Sequence, residues 1–327
     1  MKKQISGLLA AAVLTSACGG EGIGAVGGPG PVSDSFGIES SNGVAVARQS
    51  YNAVVASGGI AEIGDPAIVS SAPGDGFAIA RQAMTPEDLA LEVISLIPFG
   101  PVVEPCLGGT GTVSLSGDLA SPDTLTAGDF FVIDYEVCDT GQGEVIDGIV
   151  QLTVIDFTGD LFLGTYLVAM DAIIDNLNVA TAADSVTTDG DASIALDTSN
   201  LPFVATGVSG SSMTQMMNAG TEILTGYRSD QTLDGNQEPP PFTLDASGVL
   251  DSSQLPGFVT YSTPTEFRGF VPGYPGEGAL LVEGDNSSAR LVVIDENNVR
   301  VEIDNNGDGT VDDTFDLTWD EFLNPGT

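Results

Sequence analysis

The stretch FFVIDYEVC, residues 130–138, alternates between two sets of side chains. A period of two is typical of a β-strand, because successive side chains point to opposite faces of a sheet. The alternation therefore predicts one strand with two faces, formed by Phe131, Ile133, Tyr135 and Val137 on one side and by Val132, Asp134, Glu136 and Cys138 on the other.

The same period continues toward the C-terminus. GIVQLTVIDF (148–157) and GTYLVAMD (164–171) each place apolar side chains on one face, and the segments 278–284, 289–295, 298–304 and 314–322 also read as strands. The apolar face consists of Val150, Leu152 and Val154 in the first of these segments and of Tyr166, Val168 and Met170 in the second. In the last segment, 314–322, it consists of Phe315, Leu317 and Trp319.

Between these strands lie two segments with turn residues. SVTTDGDASIAL (185–196) predicts a hairpin with Asp189-Gly190 at its turn, because Asp-Gly suits a two-residue β-turn. DGNQEPPPF (234–242) contains three consecutive prolines and predicts a loop or a polyproline II segment. The pattern over 200–275 is less regular and leaves open whether a domain boundary lies there.

Turns separate the predicted strands by about 8–14 residues, and long helical patterns between strands are absent, which argues against parallel βαβ units. We therefore expect a mainly β domain over residues 106–327. Its expected architecture is an antiparallel meander curled into a sandwich, barrel or half-barrel, preceded by a short Ala-rich helical segment.

Residues 44–105 form that helical or irregular N-terminal segment. Residues 44–55, VAVARQSYNAVV, are rich in Ala and compatible with a helix. They share an Ala-Arg-Gln core with residues 77–89, which suggests a weak repeat. A second helix is predicted from Pro86 to Ile97, with Thr85 as its N-cap, and its expected role is to pack on the sheet.

Composition limits the function. The chain has 46 acidic residues, 8 Lys and Arg and no His, with 42% hydrophobic residues, so it can bury a core while carrying a large negative charge. Nucleic-acid binding is excluded, because neutralising phosphates requires a basic face. Without His, catalytic triads and His-ligated zinc are excluded as well, which leaves carboxylate-pair or Asp-based metal chemistry.

The N-terminus predicts export. Two Lys residues precede an apolar run of about ten residues, which is the length of a secretory signal and too short to span a bilayer. Residues 14–18, LTSAC, resemble the lipobox of bacterial lipoproteins, although Thr15 stands where such boxes usually carry Leu. The alternative is ordinary secretory cleavage that leaves Cys18 as an unmodified thiol.

The resemblance implies that residues 1–17 are removed as a signal peptide and that Cys18 becomes the lipid-modified N-terminus. Residues 18–43 would then form a lipidated, Gly-rich tether, anchored to the membrane through acyl chains. Gly19 is not Asp, the residue that in such lipoproteins favours the inner membrane, so the expected location is the outer membrane.

Two further cysteines, Cys106 and Cys138, are expected to form a disulfide in an oxidising compartment. The alternative is a pair of free buried thiols. Residues 106–323 are also similar to a set of uncharacterised bacterial lipoproteins, on the evidence of AGDFFVIDYEVC and of the closing block GDGTVD…TW. In sequences of that type the two Cys bracket the first hairpins, and the shared motifs imply no activity.

One motif carries a chemical mechanism. In EIDNNGDGTVDDTF (302–315) the oxygen-bearing residues alternate around a Gly turn, as in loops that bind Ca²⁺. Phe315 replaces the bidentate Glu of such loops, and Asp313 is a candidate to compensate. The alternative, which we favour, is a plain hairpin in which strands 299–303 and 314–319 pair without an ion. The candidate ligands are Asp304, Asn306, Asp308, Thr310 and Asp312.

Three functions follow as hypotheses. The first is an acidic, non-enzymatic lipoprotein anchored in the outer membrane, with a structural role or a site for an apolar ligand or an envelope protein. The second is a Ca²⁺-dependent adhesion or assembly module. The third is a carboxylate-dependent hydrolase, for which the sequence offers no specific catalytic constellation. No cofactor is required by the first hypothesis, and Ca²⁺ is the one candidate ion.

Overall fold

A computed structural model describes residues 34–59 and 101–325, apart from 107, 122–123, 142, 161–163, 183–184 and 218–219. This part of the chain contains two helices, α1 (Gly43–Gly59) and α2 (Trp319–Leu323). Neither is long and apolar enough to cross a membrane.

In the described part of the chain, fourteen strands form a single antiparallel sheet in which each strand pairs with the next one in sequence, so that the first and the last strand are its two edges. The predicted mainly β meander with an Ala-rich helix before it is therefore confirmed. The strands are β1 (Val102–Pro105), β2 (Thr112–Asp118), β3 (Phe130–Asp139), β4 (Glu144–Asp160), β5 (Thr165–Thr181), β6 (Ser185–Asn200), β7 (Phe203–Met217), β8 (Gly220–Asp234), β9 (Pro241–Ser252), β10 (Phe258–Phe270), β11 (Pro275–Gly284), β12 (Ser287–Val293), β13 (Asn298–Asp304) and β14 (Asp313–Thr318).

Residues 200–275 belong to the same meander. Strands β7 to β11 follow one another without interruption, so this region contains no domain boundary. The loop predicted over 234–242 is present but shorter, since residues 235–240 connect β8 to β9 and Asp234, Pro241 and Phe242 belong to the strands. The sheet also begins earlier than expected, because Val102–Pro105 pairs with β2 ahead of the boundary placed at residue 106.

Helix α1 lies on the inner face of the sheet, which we define as the face that carries the buried side chains. It contacts β7, β8, β9, β11, β12 and β13 and buries one side of its own surface against them, including Val46, Tyr51 and Val54. Burying apolar surface in this way stabilises the fold by about 25 cal/mol per Å². The helix therefore joins six strands of the sheet through one buried contact surface.

An aromatic cluster joins the two helices. The ring centroid of Tyr51 lies 5.1 Å from that of Trp319, which stacks on Tyr274 at 5.3 Å. Trp319 was predicted to continue the last strand but begins α2 instead. The reason is a capping box, in which the Thr318 side chain accepts a hydrogen bond from the Glu321 N–H and the Glu321 carboxylate accepts one from the Thr318 N–H.

Residues 34–42 are bound to the sheet, which corrects the expectation of a tether as far as residue 43. The Phe36 carbonyl accepts a hydrogen bond from the Asp285 N–H at 2.8 Å, and the Ile38 N–H donates to Ser287 Oγ at 2.6 Å. The Ile38 side chain is fully buried. An apolar residue that packs in the core holds the chain in place, and the high Gly content of the preceding residues gave no sign of it.

The two-faced strand over 130–138 is confirmed for Phe131, Ile133 and Tyr135, which are all buried. The predicted faces are wrong for Val137 and Cys138. Val137 is 54% exposed, whereas Cys138 is buried on the side of Tyr135. A β-bulge between Tyr135 and Cys138 places an extra residue on β3, and Val137 adopts a left-handed φ of 49° there. The extra residue exchanges the two faces.

The predicted hairpin at Asp189-Gly190 is also wrong. Residues 185–200 form one continuous strand, β6, and this pair lies within it, opposite a bulge at Asn176 on β5. Gly190 has a φ of 152°. A β-bulge and a tight turn both favour a residue without a Cβ, so Asp-Gly is compatible with either. The sequence alone does not distinguish a bulge from a turn at this position.

Several predictions concern residues that the structure does not describe. These are the signal peptide over 1–17, the lipidated Cys18, the part of the tether over 19–33, the repeat segment 77–89 and the helix from Pro86 to Ile97.

Candidate functional site

The predicted disulfide is present. Cys106, directly after β1, is bonded to Cys138 near the end of β3, with 5.4 Å between their Cα atoms. Both residues are buried, with 7% of their surface exposed. Since β2 lies between β1 and β3, the bond ties the β1–β2 turn to the third strand and fastens the edge of the sheet.

The candidate calcium loop connects β13 to β14. The two strands pair with Val299 opposite Leu317 and Ile303 opposite Asp313, which confirms the predicted hairpin. The Asp312 N–H donates to the Ile303 carbonyl at 2.8 Å and closes the loop. All five candidate ligands thus lie in or beside one loop. They are Asp304, Asn306, Asp308, Thr310 and Asp312.

Asp304 organises this loop through backbone hydrogen bonds. Its Oδ1 accepts from the N–H groups of Asn306 at 3.1 Å and Gly307 at 2.7 Å, and its Oδ2 accepts from that of Gly309 at 2.8 Å. Burial raises the pKa of Asp304, but these hydrogen bonds outweigh burial and hold the pKa below its usual value. The carboxylate is therefore an ionised cap for the loop.

The other candidate ligands cap backbone groups in the same way. Asn306 Oδ1 accepts from the Asp308 N–H at 3.0 Å, and Asp308 Oδ1 accepts from the Thr310 N–H at 2.8 Å. Asp312 Oδ2 accepts from the Asn305 N–H at 2.9 Å. Each side chain supports the turn, as Asx residues commonly do.

The two residues at the end of the motif point elsewhere. Asp313 accepts a hydrogen bond from Ser40 Oγ, just before α1, and Phe315 packs against the hydrophobic core. Among the residues that the structure describes, no group of three or more His, Cys, Asp or Glu side chains is arranged to hold a metal ion. Calcium binding by the loop stays a prediction.

Sequence reasoning missed a row of polar side chains on the inner face, which we call the inner polar row. It crosses four adjacent strands, with Thr188 of β6 opposite Gln215 of β7, Gln215 opposite Glu222 of β8, and Glu222 opposite Ser252 of β9. Thr188, Gln215 and Ser252 are buried and Glu222 is partly buried. The row next to it is apolar and consists of Met213, Leu224 and Leu250.

Glu222 is the ionisable member of the row. Burial raises its pKa to about 7. In strands β6 to β9 as described, all the Asp side chains lie off the inner face, so Glu222 is the single carboxyl on this surface. Glycosidase-type chemistry needs two carboxyl groups, and this part of the molecule does not supply the pair.

Two signals in the sequence point to the row. Gln215 and Glu222 stand two residues from Met213 and Leu224, so each polar residue takes a position on the apolar face of its own strand. Gly, Ser and Thr interrupt the apolar pattern over 200–275, so the sequence alone does not single out Gln215 and Glu222 there.

The positive charges of the described chain lie on exposed surface, apart from Arg48 and Arg300, which are partly buried. Arg228 is bound to Asp230, Arg268 to Glu266, Arg290 to Glu302 and Arg300 to Asp316. Such exposed pairs contribute little to stability, about 0–1 kcal/mol each. Their effect is to pair these four positive charges with carboxylates, and the described outer face keeps an excess of carboxylates.

A scan of family models found no match for the chain, and comparisons with curated proteins and with solved structures found none either.

Proposed function

We propose that this chain is an exported lipoprotein anchored in the outer membrane, with a non-enzymatic structural or ligand-binding role in the cell envelope. The observation that carries the proposal is the Cys106–Cys138 disulfide. Disulfides persist in oxidising compartments and are rare in the cytosol, where thiols are kept reduced. A buried disulfide therefore supports an exported protein, in agreement with the signal-like N-terminus.

The anchor is the second part of the proposal. The run that ends at Cys18 supports acylation of that residue, and acyl chains attach a folded domain to a membrane, each buried CH₂ contributing about 0.8 kcal/mol. The acidic outer face cannot attract anionic headgroups, so the acyl chains would supply the attachment.

The non-enzymatic role rests on what the described surfaces offer. The chain has no His, and the inner face of β6–β9 carries the single carboxyl of Glu222. The single sheet with α1 across its inner face is a scaffold that holds loops in fixed positions. Its expected partners are an apolar ligand or another protein of the envelope.

Intact-mass spectrometry of the protein from detergent-solubilised membranes of the producing cell tests the anchor. We expect a chain that begins at residue 18 and carries the mass of acyl chains, and we expect the Cys18→Ala variant to lose both the acyl mass and membrane association. The double variant C106A/C138A is the matched control, since it removes the other two cysteines and should keep the acyl mass. A chain that retains Met1, or a free thiol at residue 18, contradicts the proposal.

Native mass spectrometry separates the two roles. A co-purifying apolar molecule that survives gentle extraction supports ligand binding, whereas bare protein in repeated preparations supports the structural role.

A further inference from the structure

The inner polar row contains a buried acceptor without a donor. Gln215 is 3% exposed, and its Oε1 has no hydrogen-bond partner among the residues that the structure describes. A buried amide oxygen without a donor is costly and calls for a physical explanation. The side chain directly opposite on β8 is Glu222, and side chains opposite each other on antiparallel strands lie within reach, since their Cβ atoms are about 4.5–5.5 Å apart.

An ionised Glu222 cannot satisfy that oxygen, because a carboxylate only accepts hydrogen bonds. A protonated Glu222 can, because a carboxylic acid has one O–H donor. Protonation of Glu222 therefore supplies the missing donor, an O–H group, without adding a heavy atom. On this geometry we propose that Glu222 is a proton-binding site: the protonated carboxyl donates to Gln215 Oε1, and its ionisation breaks this bond across strands β7 and β8.

The described groups around Glu222 include no positive charge that compensates its ionised form. Strand β7 has no ionisable residue, and on β9 Asp251 lies opposite Ile223, on the other face from Glu222. On β6, Asp189 points away and accepts from the Asn176 N–H. The ionisable residues of α1 are Arg48, which donates to the Phe322 carbonyl, and Tyr51.

On the inner face, among the residues that the structure describes, the remaining ionisable groups near this part of the sheet are Tyr227 and Tyr261. Burial raises the pKa of each far above neutrality, so both stay uncharged. Glu222 consequently titrates in apolar and neutral surroundings, where a charge is disfavoured by desolvation. Burial alone moves the pKa of Glu222 to about 7, which is within the range of ordinary changes in external pH.

Two hydrogen bonds connect Ser252, at the end of the row, to helix α1 through Gln254. Glu222 lies opposite Ser252, whose Oγ accepts from the Gln254 N–H at 3.3 Å, and Gln254 Oε1 accepts from Gln49 Nε2 at 3.0 Å. Helix α1 also packs directly on β7, β8 and β9. Ionisation of Glu222 is therefore expected to loosen the contact between α1 and these strands, and protonation to tighten it.

The test is the pH dependence of the folded protein with its disulfide intact. ¹³C NMR of the side-chain carboxyls, assigned by comparison with Glu222→Gln, should show Glu222 titrating near pH 7. Between pH 5 and pH 8 the folding equilibrium constant should fall on the order of 100-fold, because the native state holds a proton that the unfolded state has released. In E222Q, an isosteric mimic of the neutral acid, this dependence should vanish.

Two further variants make the test specific. Glu283→Gln removes an exposed carboxyl elsewhere on the sheet and should keep the wild-type pH dependence. Gln215→Met removes the acceptor with little change in volume, and the pKa of Glu222 should then fall, because the neutral acid has lost its hydrogen bond. Hydrogen exchange of the α1 amides, corrected for intrinsic rates, should be faster at pH 8 than at pH 6 in the wild type and unchanged in E222Q.

Each of several outcomes would overturn the proposal. Glu222 titrating near its ordinary value, E222Q keeping the wild-type pH dependence, or Q215M leaving the pKa of Glu222 unmoved would each do so. If Q215M does not fold, the E222Q comparison decides alone. Stabilisation of the wild type but not of E222Q by millimolar Ca²⁺ would also overturn it, since the site would then bind a metal ion. These results do not depend on whether Cys18 is acylated.

Discussion

Asp189 of β6 accepts a hydrogen bond, through Oδ1, from the backbone N–H of Asn176 on β5 at 2.8 Å, although the two residues interrupt the regular pairing of their strands. Asn176 has a left-handed φ of 49°. The same arrangement recurs between β4 and β3, where Asp147 Oδ1 accepts from the Val137 N–H at 3.1 Å. In both places the carboxylate satisfies an amide that the bulge removes from the ladder.

The glycine after each Asp leaves room for the backbone of the strand on its other side, β7 for Gly190 and β5 for Gly148. A Cβ on Gly190 would lie 2.4 Å from the Ser212 carbonyl oxygen, and one on Gly148 would lie 2.4 Å from that of Asn176. We expect Gly190→Ala to destabilise the protein by about 2–4 kcal/mol, because backbone atoms must move and the φ is unsuited to a side chain. Urea unfolding measures the loss. Gly276→Ala, where a Cβ meets open space, is the control and should stay within about 0.5 kcal/mol of the wild type.

Tyr51 couples α1 to α2 through its ring. It packs edge-on against Phe267 at 5.3 Å and lies 5.1 Å from Trp319, the single tryptophan of the chain. We expect Tyr51→Ala to cost about 3–5 kcal/mol and to shift the emission of Trp319 to longer wavelength, because the cavity exposes the indole. Tyr51→Phe keeps the ring and should preserve both stability and emission. A blue emission that persists in Y51A would contradict the contact.

The sequence predicted the parts of the fold that depend on one strand at a time. Alternation identified the buried side of Val150, Leu152 and Val154 correctly, because it follows from the pleat of an extended chain. It failed at Val137 and at Asp189-Gly190, since a bulge is defined by the pairing of two strands. Trp319 was misplaced for a local reason, because the Thr318–Glu321 capping box was overlooked.

The same distinction applies to the candidate sites. The loop from Asp304 to Asp312 is contiguous, so its motif was visible, and the cysteine pair could be inferred from the expected compartment. The inner polar row is spread over four strands, and its members become neighbours through the register of β6 to β9. Gln215 and Glu222 each stand on the apolar face of their own strand, but the alternation in this segment is too weak for the sequence alone to single them out.

The disulfide is expected to stabilise the edge of the sheet. Its two cysteines are 32 residues apart, and closing a loop of that length contributes about 3–4 kcal/mol on the chain-entropy estimate. We expect C106A/C138A to lose about this much in urea unfolding. Dithiothreitol should destabilise the wild type to a similar extent and leave the double variant unaffected. A wild type that is equally stable with and without reductant would show that the bond contributes nothing.

The Asp304 cap should make the protein sensitive to acid. Since hydrogen bonds hold the pKa of this carboxyl below its usual value in the folded state, it contributes stability above the unfolded pKa, which is about 3.9, and that contribution is lost as the pH falls through the folded pKa. Asp304→Asn should therefore be less stable than the wild type at neutral pH, with the difference shrinking below pH ~4. Asp308→Asn is the matched control, because Asp308 caps a single N–H, that of Thr310. Its loss at neutral pH should be smaller than that of D304N.

The same proteins test whether the loop binds Ca²⁺. Because the loop amides already occupy both oxygens of Asp304, we expect no change in melting temperature with millimolar Ca²⁺. A Ca²⁺-dependent rise in the wild type that D304N and Asp312→Asn both abolish would instead establish the loop as a calcium site.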